Sequence, residues 1–548
     1  MLKPAVLEAI PEETMRVAQK AFRKGNRYVA LRDHLGQFLG QAAYEALYST
    51  QGQPGLSPTE LSLLTIVQQM EGLSDRAAAE ALVSRIDLKY LLSKPLTYAG
   101  FDASVLSEFR QRLVAGGAEA VAFEQVLELC QAQQWLKVRG RQRTDSTHIL
   151  AAVREVNRYE LVGEALRSAL NDLAHLHPAW LRQRTPAAWF GRYATRIEEY
   201  RLPAGAVAHQ AWAEQVGQDG LLLLGWLAAA DAPGYLGELP SIQTLRTIWQ
   251  QQYHPGEGAP RWRQAGELPP AHEMIQSPYD PEARYSEKRE LAWKGYKGHF
   301  TETCDDDAAP LLITQVTTTV ACVPDCQVTA HIQAELAATG RLPDQHVVDA
   351  GYSDAERYAV SRTQHQIDLV APTTPDVSWQ AKAGQGYDHA HFTIDWTRRV
   401  ATCPQGHESR PWLEDPDAFG NPSLLIRFDK QTCHRCPVRA CCTRAAQQPR
   451  SLRIRPQDQY EALQAARQRQ LTPEFQALYA QRSGIEATLS LSVRAFDMRQ
   501  TRYLGLAKTH LQNLFIATAI NLQRIADFLL GTQRTTTRTS AFARLAPT

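Results

Sequence analysis

The feature that most constrains the fold is a short apolar strand that ends abruptly at a carboxylate. Residues 346–348 read His-Val-Val, Asp349 follows them, and Ala350-Gly351 ends the run, which is typical of a buried strand before a sharp turn. A buried carboxylate is costly unless it is paired, so Asp349 suggests a metal ligand at the mouth of a sheet. The alternative is an Asp that forms a turn or caps a helix.

Further strand patterns predict a mixed sheet around this one. The strand patterns lie at 141–150, 293–303, 311–320, 346–349 and 367–371. A hairpin followed by strand, helix and strand indicates an α/β core with helices packed on a mixed sheet. Asp145 lies in the middle of the first strand, where metal ligation or a surface-facing edge strand would explain its charge. In this core Asp145 and Asp349 can lie close together. For His148 three roles stay open: a nearby metal ligand, a proton carrier, or a side chain that is only hydrogen-bonded.

At 548 residues the chain is too long for one hydrophobic core, and changes in pattern suggest where it divides. We expect an all-α DNA-binding or dimerisation domain at 1–136, the first part of the core at 137–154, a helical insertion at 155–271, the second part of the core at 272–373, a cysteine-rich insertion at 374–456, a C-terminal helical part of the core at 457–532 and a tail at 533–548.

The N-terminal region carries two helices around a glycine turn. Residues 57–60 form a capping box, an apolar helix follows, Gly72 breaks it, and a second helix begins after Ser74. This pattern fits a helix-turn-helix or a plain helical hairpin. A third helix near residue 104 carries Arg110 and Arg112, which we expect to contact the backbone of DNA.

Five of the nine cysteines fall between residues 403 and 442. Cys433 and Cys436 have the spacing of a tetrahedral zinc knuckle, and Cys403 with Cys442 would complete four sulfur ligands. The pattern therefore predicts a structural zinc. Two alternatives stay open, namely Cys441 in place of Cys442 and His407 as the fourth ligand.

Charge gives only local indications. The formal net charge is +1, yet residues 137–143 and the region from Arg494 onward are rich in Lys and Arg. Such stripes attract polyanions, although a solvated face looks the same in sequence. The cations that we consider DNA contacts are Arg141, Arg143, Lys294, Lys297, Arg494, Arg499, Arg502 and Lys508. The sequence shows no export signal and no run long enough to span a bilayer, so we expect a cytoplasmic protein without a membrane partner.

The last element, residues 473–530, reads as helical throughout. Within it Tyr479, Arg482 and Glu486 are spaced by three and four residues, which places them on one helical face. The helix is amphipathic and Gly484 permits close packing, so this face is expected to look into a site.

These residues carry a resemblance to a known family. The matching stretches are 144–148, 277–286 leading to 293–297, 348–352, 482–486 and 502–510. They resemble the DDE transposases of bacterial insertion sequences, and most closely the family numbered eleven eighty-two. The likeness extends over nearly the whole chain and includes the cysteines and the helix near Phe109.

The resemblance implies an α/β ribonuclease H-like mixed sheet with flanking helices, in which Asp145, Asp349 and Glu486 bind two Mg²⁺ or Mn²⁺ ions. Tyr479 and Arg482 match the supporting tyrosine and arginine of such enzymes. The position seven residues after Glu486, where relatives carry a basic residue, holds a valine here, and Arg494 comes one step late.

The activity implied is metal-dependent cleavage and strand transfer at the terminal repeats of a mobile element. The implied partners are double-stranded DNA, as element ends and target, and a second copy of the chain in a homodimer. The protein would then associate with the bacterial nucleoid. The alternatives are a domesticated or inactive relative that only binds DNA, and a metal-dependent nuclease without strand transfer.

Overall fold

The structure is a computed structural model that describes residues 2, 9–254, 256, 260–305, 309–384, 386–532, 541–542 and 545. The predicted tail at 533–548 therefore lies almost wholly outside the described residues. Within them, no helix has the length and apolarity needed to cross a membrane.

The N-terminal region is helical, as predicted. Its helices are α1 (Glu12–Ala21), α2 (Arg27–Leu35), a 3-10 helix (Ala42–Leu47), α3 (Pro58–Glu71), α4 (Asp75–Ser84), α5 (Ile86–Leu91), α6 (Ser104–Ala115) and α7 (Val121–Ala132). Pro58 begins α3 at a position where its missing N–H has no intrahelical partner to lose. Gly72 ends α3 in the left-handed conformation, with φ 66°, and the Ser74 hydroxyl caps α4.

Two side chains of this region distinguish between the helical hairpin and the helix-turn-helix for α3 and α4. Asp75, the first residue of α4, pairs with Arg110 of α6 at 2.6 Å, and Arg110 is buried. This internal ion pair favours the helical hairpin over a helix-turn-helix that presents α4 to DNA. The guanidinium of Arg110 is engaged in this ion pair, and its contact with DNA stays a prediction. Arg112 lies over the ring of Tyr48, 4.3 Å from the centroid.

The middle of the chain combines the first strand with a series of helices, and that these helices form an insertion stays a prediction. The elements are β1 (Arg141–Leu150), α8 (Arg158–Leu176), α9 (Pro178–Arg184), α10 (Ala187–Tyr193), a 3-10 helix (Glu199–Arg201), α11 (Ala206–Ala228), a 3-10 helix (Gly234–Glu238), α12 (Pro240–Gln252), β2 (Tyr253–His254), β3 (Arg261–Trp262) and a 3-10 helix (Ala265–Glu267).

The remaining core strands and helices follow. They are β4 (Arg284–Lys288), β5 (Leu291–Thr303), β6 (Ile313–Val320), α13 (Asp325–Ala338), β7 (Gln345–Val348), a 3-10 helix (Ala350–Tyr352), α14 (Ala355–His365) and β8 (Asp368–Val370).

The cysteine-rich region and the C-terminal helices complete the chain. They contain α15 (Trp379–Ala383), a 3-10 helix (His389–His391), β9 (Thr393–Asp395), β10 (Val400–Thr402), β11 (Leu413–Glu414), β12 (Leu424–Arg427), α16 (Lys430–Arg435), α17 (Arg439–Cys442), β13 (Ser451–Ile454), α18 (Gln457–Arg469), α19 (Pro473–Ala480), α20 (Ser483–Ala495) and α21 (Leu506–Leu529).

The central sheet is mixed, which confirms the predicted α/β class. Its strand order is β4-β5-β1-β7-β8, and β6 also pairs with β5. β1 runs antiparallel to β5 and parallel to β7, and β7 runs parallel to β8. Parallel neighbours need a crossover, which the helices α13 and α14 supply. This arrangement is compatible with a ribonuclease H-like core.

Hydrophobic side chains gather in separate clusters. The largest cluster joins the N-terminal helices, β5, β6 and α21, so these helices share buried contacts with the sheet. The helices α8–α12 have a cluster of their own, and so do the small strands of the cysteine-rich region. The division of the chain into domains at the expected boundaries stays a prediction.

The C-terminal segment is not helical throughout, contrary to the prediction. Between α20 and α21 the chain leaves the helix and pairs with the last residue of β1. Leu150 N donates to Arg499 O at 2.8 Å, and Thr501 N donates to Leu150 O at 3.0 Å. Gly505, with φ 90°, then begins α21. The break at 496–505 is therefore set by backbone hydrogen bonds to a strand that is far away in sequence.

Candidate active site

Asp145 lies in the middle of β1, as predicted, and this strand is interior to the sheet. It faces Phe300 of β5 in the register, while β7 lies on the other side of β1. Only 8% of Asp145 is exposed. Its Oδ1 accepts a hydrogen bond from Ser146 N at 2.8 Å, and its Oδ2 accepts one from Arg482 at 2.7 Å. The edge-strand alternative is therefore excluded.

Asp349 follows β7 directly, at the end of the strand, as predicted. Its Oδ1 accepts a hydrogen bond from Gly351 N at 2.8 Å and caps the short 3-10 helix that follows. Asp349 therefore has the capping role that was considered as the alternative to metal binding. It leaves the carboxylate at the same end of the sheet as Asp145, because β1 and β7 are parallel neighbours.

Arg482 connects Asp145 to Glu486. Its two terminal nitrogens pair with Asp145 at 2.7 Å and with Glu486 at 2.8 Å. The Glu486 side chain is 62% exposed, so it lies at the mouth of the site. Tyr479 does not share a helix with Glu486, contrary to the prediction, because the chain turns at 481–482 between α19 and α20.

Arg482 pairs directly with Asp145 and Glu486, and the negative charge of Asp349 also acts on it. Burial raises the pKa of Asp145 to about 6; the cation of Arg482 opposes this rise, and the negative charge of Asp349 adds to it. Burial tends to lower the pKa of Arg482, yet the charges of Asp145, Glu486 and Asp349 raise it overall. Burial also raises the pKa of the Tyr479 hydroxyl, and the same three carboxylates contribute. The predicted triad therefore lies within one electrostatic neighbourhood.

The donor chemistry of this site suits a hard divalent cation. Carboxylate oxygens are the ligands that Mg²⁺ and Mn²⁺ prefer, and a buried Asp145 beside a second carboxylate gains from a cation. In the structure Arg482 supplies that positive charge for Asp145 and Glu486. Among the described residues, no group of three or more His, Cys, Asp or Glu side chains is already arranged as a metal site.

Sequence reasoning missed a fourth carboxylate beside the triad. Asp325, the first residue of α13, pairs with Lys297 at 2.8 Å and accepts a hydrogen bond from Ser146 at 3.5 Å. Its charge also reaches Tyr352, a buried residue whose pKa is raised mainly by burial and further by Asp325, Asp145 and Asp349. No periodicity marks Asp325, because only the sheet brings it to this end of β1.

His148 remains close to the site but is not a ready proton carrier. Burial lowers its pKa to about 4, and the charges of Arg499 and Lys288 add to the effect. Its ring packs against Trp293, with 5.4 Å between centroids. His148 is therefore neutral near pH 7.

The predicted DNA contacts are in different environments. Arg143 is buried and pairs with Glu302 at 2.7 Å, so its assignment as a DNA contact is wrong. Lys297 is largely buried in its pair with Asp325. Arg494 is exposed on α20. Arg499 donates to the carbonyl of His148 at 2.7 Å.

The other predicted contacts also have partners within the protein or line its surface. Arg141 donates to Gln481 at 3.0 Å, Lys294 to Val156 O at 3.5 Å, and Arg502 to Leu73 O at 3.0 Å, whereas Lys508 lines a small surface pocket. A role of these cations in DNA binding stays a prediction.

The predicted zinc ligands line a single pocket of about 180 Å³. Cys403, Cys433, Cys436 and Cys442 all contribute to it, and so does His407, whereas Cys441 is not among its lining residues. Burial raises the pKa of the Cys442 thiol to about 11, and the neighbouring thiols add to the rise. The sulfurs therefore share a neighbourhood, although no zinc geometry is formed among the described residues. The zinc stays a prediction.

Two protein-family models match parts of the chain. The Transposase DDE domain matches residues 402–526, a range that contains Tyr479, Arg482 and Glu486. The Transposase domain (DUF772) matches residues 16–112, which hold the helices α2–α5 and most of α1 and α6. No curated protein and no solved structure matches the chain.

Proposed function

The chain belongs to the DDE transposases of insertion sequences, and from this premise we propose that it binds the ends of its own element and catalyses metal-dependent DNA cleavage and strand transfer. The observation that supports the proposal is that Arg482 pairs with Asp145 and Glu486 and also interacts electrostatically with Asp349. The assignment to the narrower family numbered eleven eighty-two stays a prediction.

We assign the metal-binding role to the three carboxylates. Asp145 and Asp349 lie on adjacent parallel strands and would hold the cations from the sheet, while Glu486 would approach from α20. When bound, two Mg²⁺ or Mn²⁺ ions activate an attacking oxygen and stabilise the leaving one during phosphodiester cleavage. Glu486 accepts from Arg482 through Oε1, and its exposure leaves the side chain free to turn toward a cation.

Arg482 and Tyr479 are assigned to the DNA phosphate. Once Glu486 turns to the cation, the Arg482 guanidinium can donate two hydrogen bonds to a phosphate or hold Asp145 in place. The charges of the same carboxylates act on the Tyr479 hydroxyl, which stays protonated because its pKa is raised. It can therefore donate a hydrogen bond to a phosphate oxygen but cannot act as a base near pH 7.

DNA is the partner that transposases act on. We propose that Arg494, exposed on the helix of Glu486, contacts the backbone beside the cleaved bond. The N-terminal helices would recognise the terminal repeats, and a homodimer would bring two element ends together. A structural zinc bound by Cys403, Cys433, Cys436 and Cys442 would hold the cysteine-rich region.

The test uses DNA that contains the sequences flanking the gene. Purified wild-type protein is incubated with this DNA and Mg²⁺ or Mn²⁺, and nicked and joined products are resolved on denaturing gels. Glu486→Ala and Asp145→Asn serve as matched variants. We expect nicking at a defined end and then joining by the wild type, with both lost in the two variants.

The other outcomes separate the rival functions. Cutting without joining would identify a nuclease that lacks strand transfer. Specific binding without cutting by the wild type, in a buffer where Mn²⁺ binding is measured directly, would identify a DNA-binding relative and refute the catalytic assignment.

A further inference from the structure

A fully buried carboxylate lies beside the candidate active site, on the neighbouring strand β5. Glu302 of β5 is 0% exposed and lies directly opposite Arg143 in the antiparallel pairing of β1 with β5. Its Oε1 accepts two hydrogen bonds from Arg143, at 2.9 and 2.7 Å. Its Oε2 accepts one from Thr488 at 2.6 Å and one from Arg524 at 2.9 Å. Every oxygen of this buried charge is therefore satisfied.

The partners of Glu302 belong to the elements that carry the triad. Arg143 precedes Asp145 by two residues on β1, so both side chains lie on one face of the sheet. Thr488 follows Glu486 by two residues on α20, and Arg524 comes from α21. Glu302 therefore ties the strand of Asp145 to the helix of Glu486.

Arg143 also contacts the chain directly before Arg482. Its Nη1 donates to Gln481 O at 2.5 Å, in the turn between α19 and α20. Gln481 and Thr488 bracket the segment that carries Arg482 and Glu486. That segment is consequently held at both ends by one network that centres on Glu302.

The packing at Gly484 shows how close this contact is. A Cβ on Gly484 would lie 2.1 Å from Arg143 Nη1, a distance that no real Cβ contact shows. The Arg143 guanidinium cannot move away without breaking its hydrogen bonds to Glu302 and Gln481. The first turn of α20 therefore rests directly on the buried ion pair.

We propose that Glu302 is a positioning residue of the active site, which sets Glu486 and Arg482 against Asp145 through Arg143 and Thr488. The inference rests on the proposed function, because it assigns a purpose to the placement of the triad. Glu302 touches neither DNA nor cation in this assignment; it acts through its hydrogen-bond partners. A buried ion network is weak evidence for stability, which makes a role in geometry the better explanation.

The first test is Glu302→Gln, which keeps the size of the side chain and removes its charge. We expect affinity for element-end DNA within about twofold of wild type, because no DNA contact is removed. We expect the cleavage rate at saturating DNA to fall at least tenfold, and the affinity for Mn²⁺ without DNA, measured by electron paramagnetic resonance, to fall at least threefold. The Mn²⁺ readout does not depend on turnover.

A second variant separates positioning from stability. The triple substitution Arg143→Met, Glu302→Met and Arg524→Met replaces the buried charges by apolar side chains of similar size, an exchange that is often neutral or stabilising. It cannot restore the hydrogen bonds to Gln481 and Thr488. We therefore expect a folded protein, with a melting temperature near that of the wild type, which cleaves slowly and binds Mn²⁺ weakly.

The results that would overturn the inference differ from those that overturn the function. Wild-type cleavage and Mn²⁺ affinity in either variant would show that Glu302 does not position the site. A wild-type protein that neither binds Mn²⁺ nor cleaves its flanks would refute the proposed function, and the inference with it.

Discussion

Arg482 joins two of the three carboxylates of the proposed active site. Its guanidinium is paired with Asp145 and Glu486 and is only 16% exposed. In this position it neutralises carboxylates that would otherwise repel one another. A divalent cation bound by the same oxygens would compete with Arg482 for them. Arg482 therefore stabilises the carboxylates when no metal is bound, and the cation stabilises them when it is bound.

This competition gives a prediction for Arg482→Gln. Without metal we expect the free energy of unfolding to fall by about 1–3 kcal/mol, because a largely buried Asp145 loses its partner. Saturating Mg²⁺ should then raise the melting temperature more in the variant than in the wild type. Differential scanning fluorimetry with and without Mg²⁺ measures both effects.

Arg494→Gln is the control, because this arginine is exposed on the neighbouring helix, and its loss should change stability by less than about 0.5 kcal/mol. An equal Mg²⁺ response in Arg482→Gln and the wild type would contradict the competition between arginine and metal.

The secondary-structure elements could be predicted from the sequence wherever their signal is local. The β-branched run of β1 and the apolar run of β7 gave both strands and placed Asp145 and Asp349 correctly. The break at 496–505 could not be predicted in this way, because it depends on hydrogen bonds to Leu150. The role of Arg143 was hidden for the same reason, since its partner Glu302 is distant in the sequence and the surrounding cations suggested a polyanion instead.

The contact between α20 and Arg143 predicts the effect of Gly484→Ala. The new methyl group overlaps a guanidinium that is held by hydrogen bonds, so we expect a loss of about 1–3 kcal/mol in the free energy of unfolding. The cleavage rate should fall in parallel, because the clash displaces the helix of Glu486.

Gly225→Ala is the matched control, since this exposed glycine in α11 has nothing within 4 Å of its added Cβ. That variant should be neutral or more stable by up to about 1 kcal/mol. If urea unfolding gave both alanine variants the same free energy of unfolding, the contact between α20 and Arg143 would be ruled out.

The cysteine-rich region gives a prediction about metal content. If the thiols that line the pocket hold zinc, the purified protein should contain one zinc per chain by plasma mass spectrometry. Cys436→Ser should lose it, and the melting temperature should fall because binding free energy is lost. Cys441→Ser should keep its zinc, because Cys441 does not line the pocket. Zinc retained by the Cys436 variant, or lost equally by both, would refute the assigned ligands.

At the scale of the whole molecule, the sheet and the N-terminal helices depend on each other. One hydrophobic cluster runs from α2 through β5 and β6 to α21, so the N-terminal region, which we propose to bind DNA, is packed against the sheet that holds the proposed triad. The helices α8–α12 have a cluster of their own. Stability of the main cluster should therefore govern both DNA binding and catalysis.

Buried histidines make that stability depend on pH. His346, on β7, is 0% exposed, and burial alone lowers its pKa to about 4. The Thr144 hydroxyl shares a hydrogen bond with its Nε2 at 2.6 Å, and Gln333 lies 3.4 Å from its Nδ1. The unfolded chain binds a proton near pH 6.5, whereas the folded protein does so only near pH 4. The contribution of His346 is thus fully present above pH 6.5 and is lost as the pH falls toward 4.

The expected loss from His346 over this interval is about 3 kcal/mol, at 1.36 kcal/mol for each pKa unit. His346→Gln removes the titration and keeps an amide in place of the imidazole nitrogen. The variant should be less stable than the wild type at pH 7, and the difference should shrink or reverse by pH 4. Urea unfolding followed by circular dichroism between pH 4 and 7 measures both curves. Curves that stay parallel would mean that His346 does not titrate differently in the folded and unfolded chain. Converging curves would place a proton-sensitive contact at β7, the strand that precedes Asp349. Mild acid should then weaken the sheet that carries two of the three proposed metal ligands.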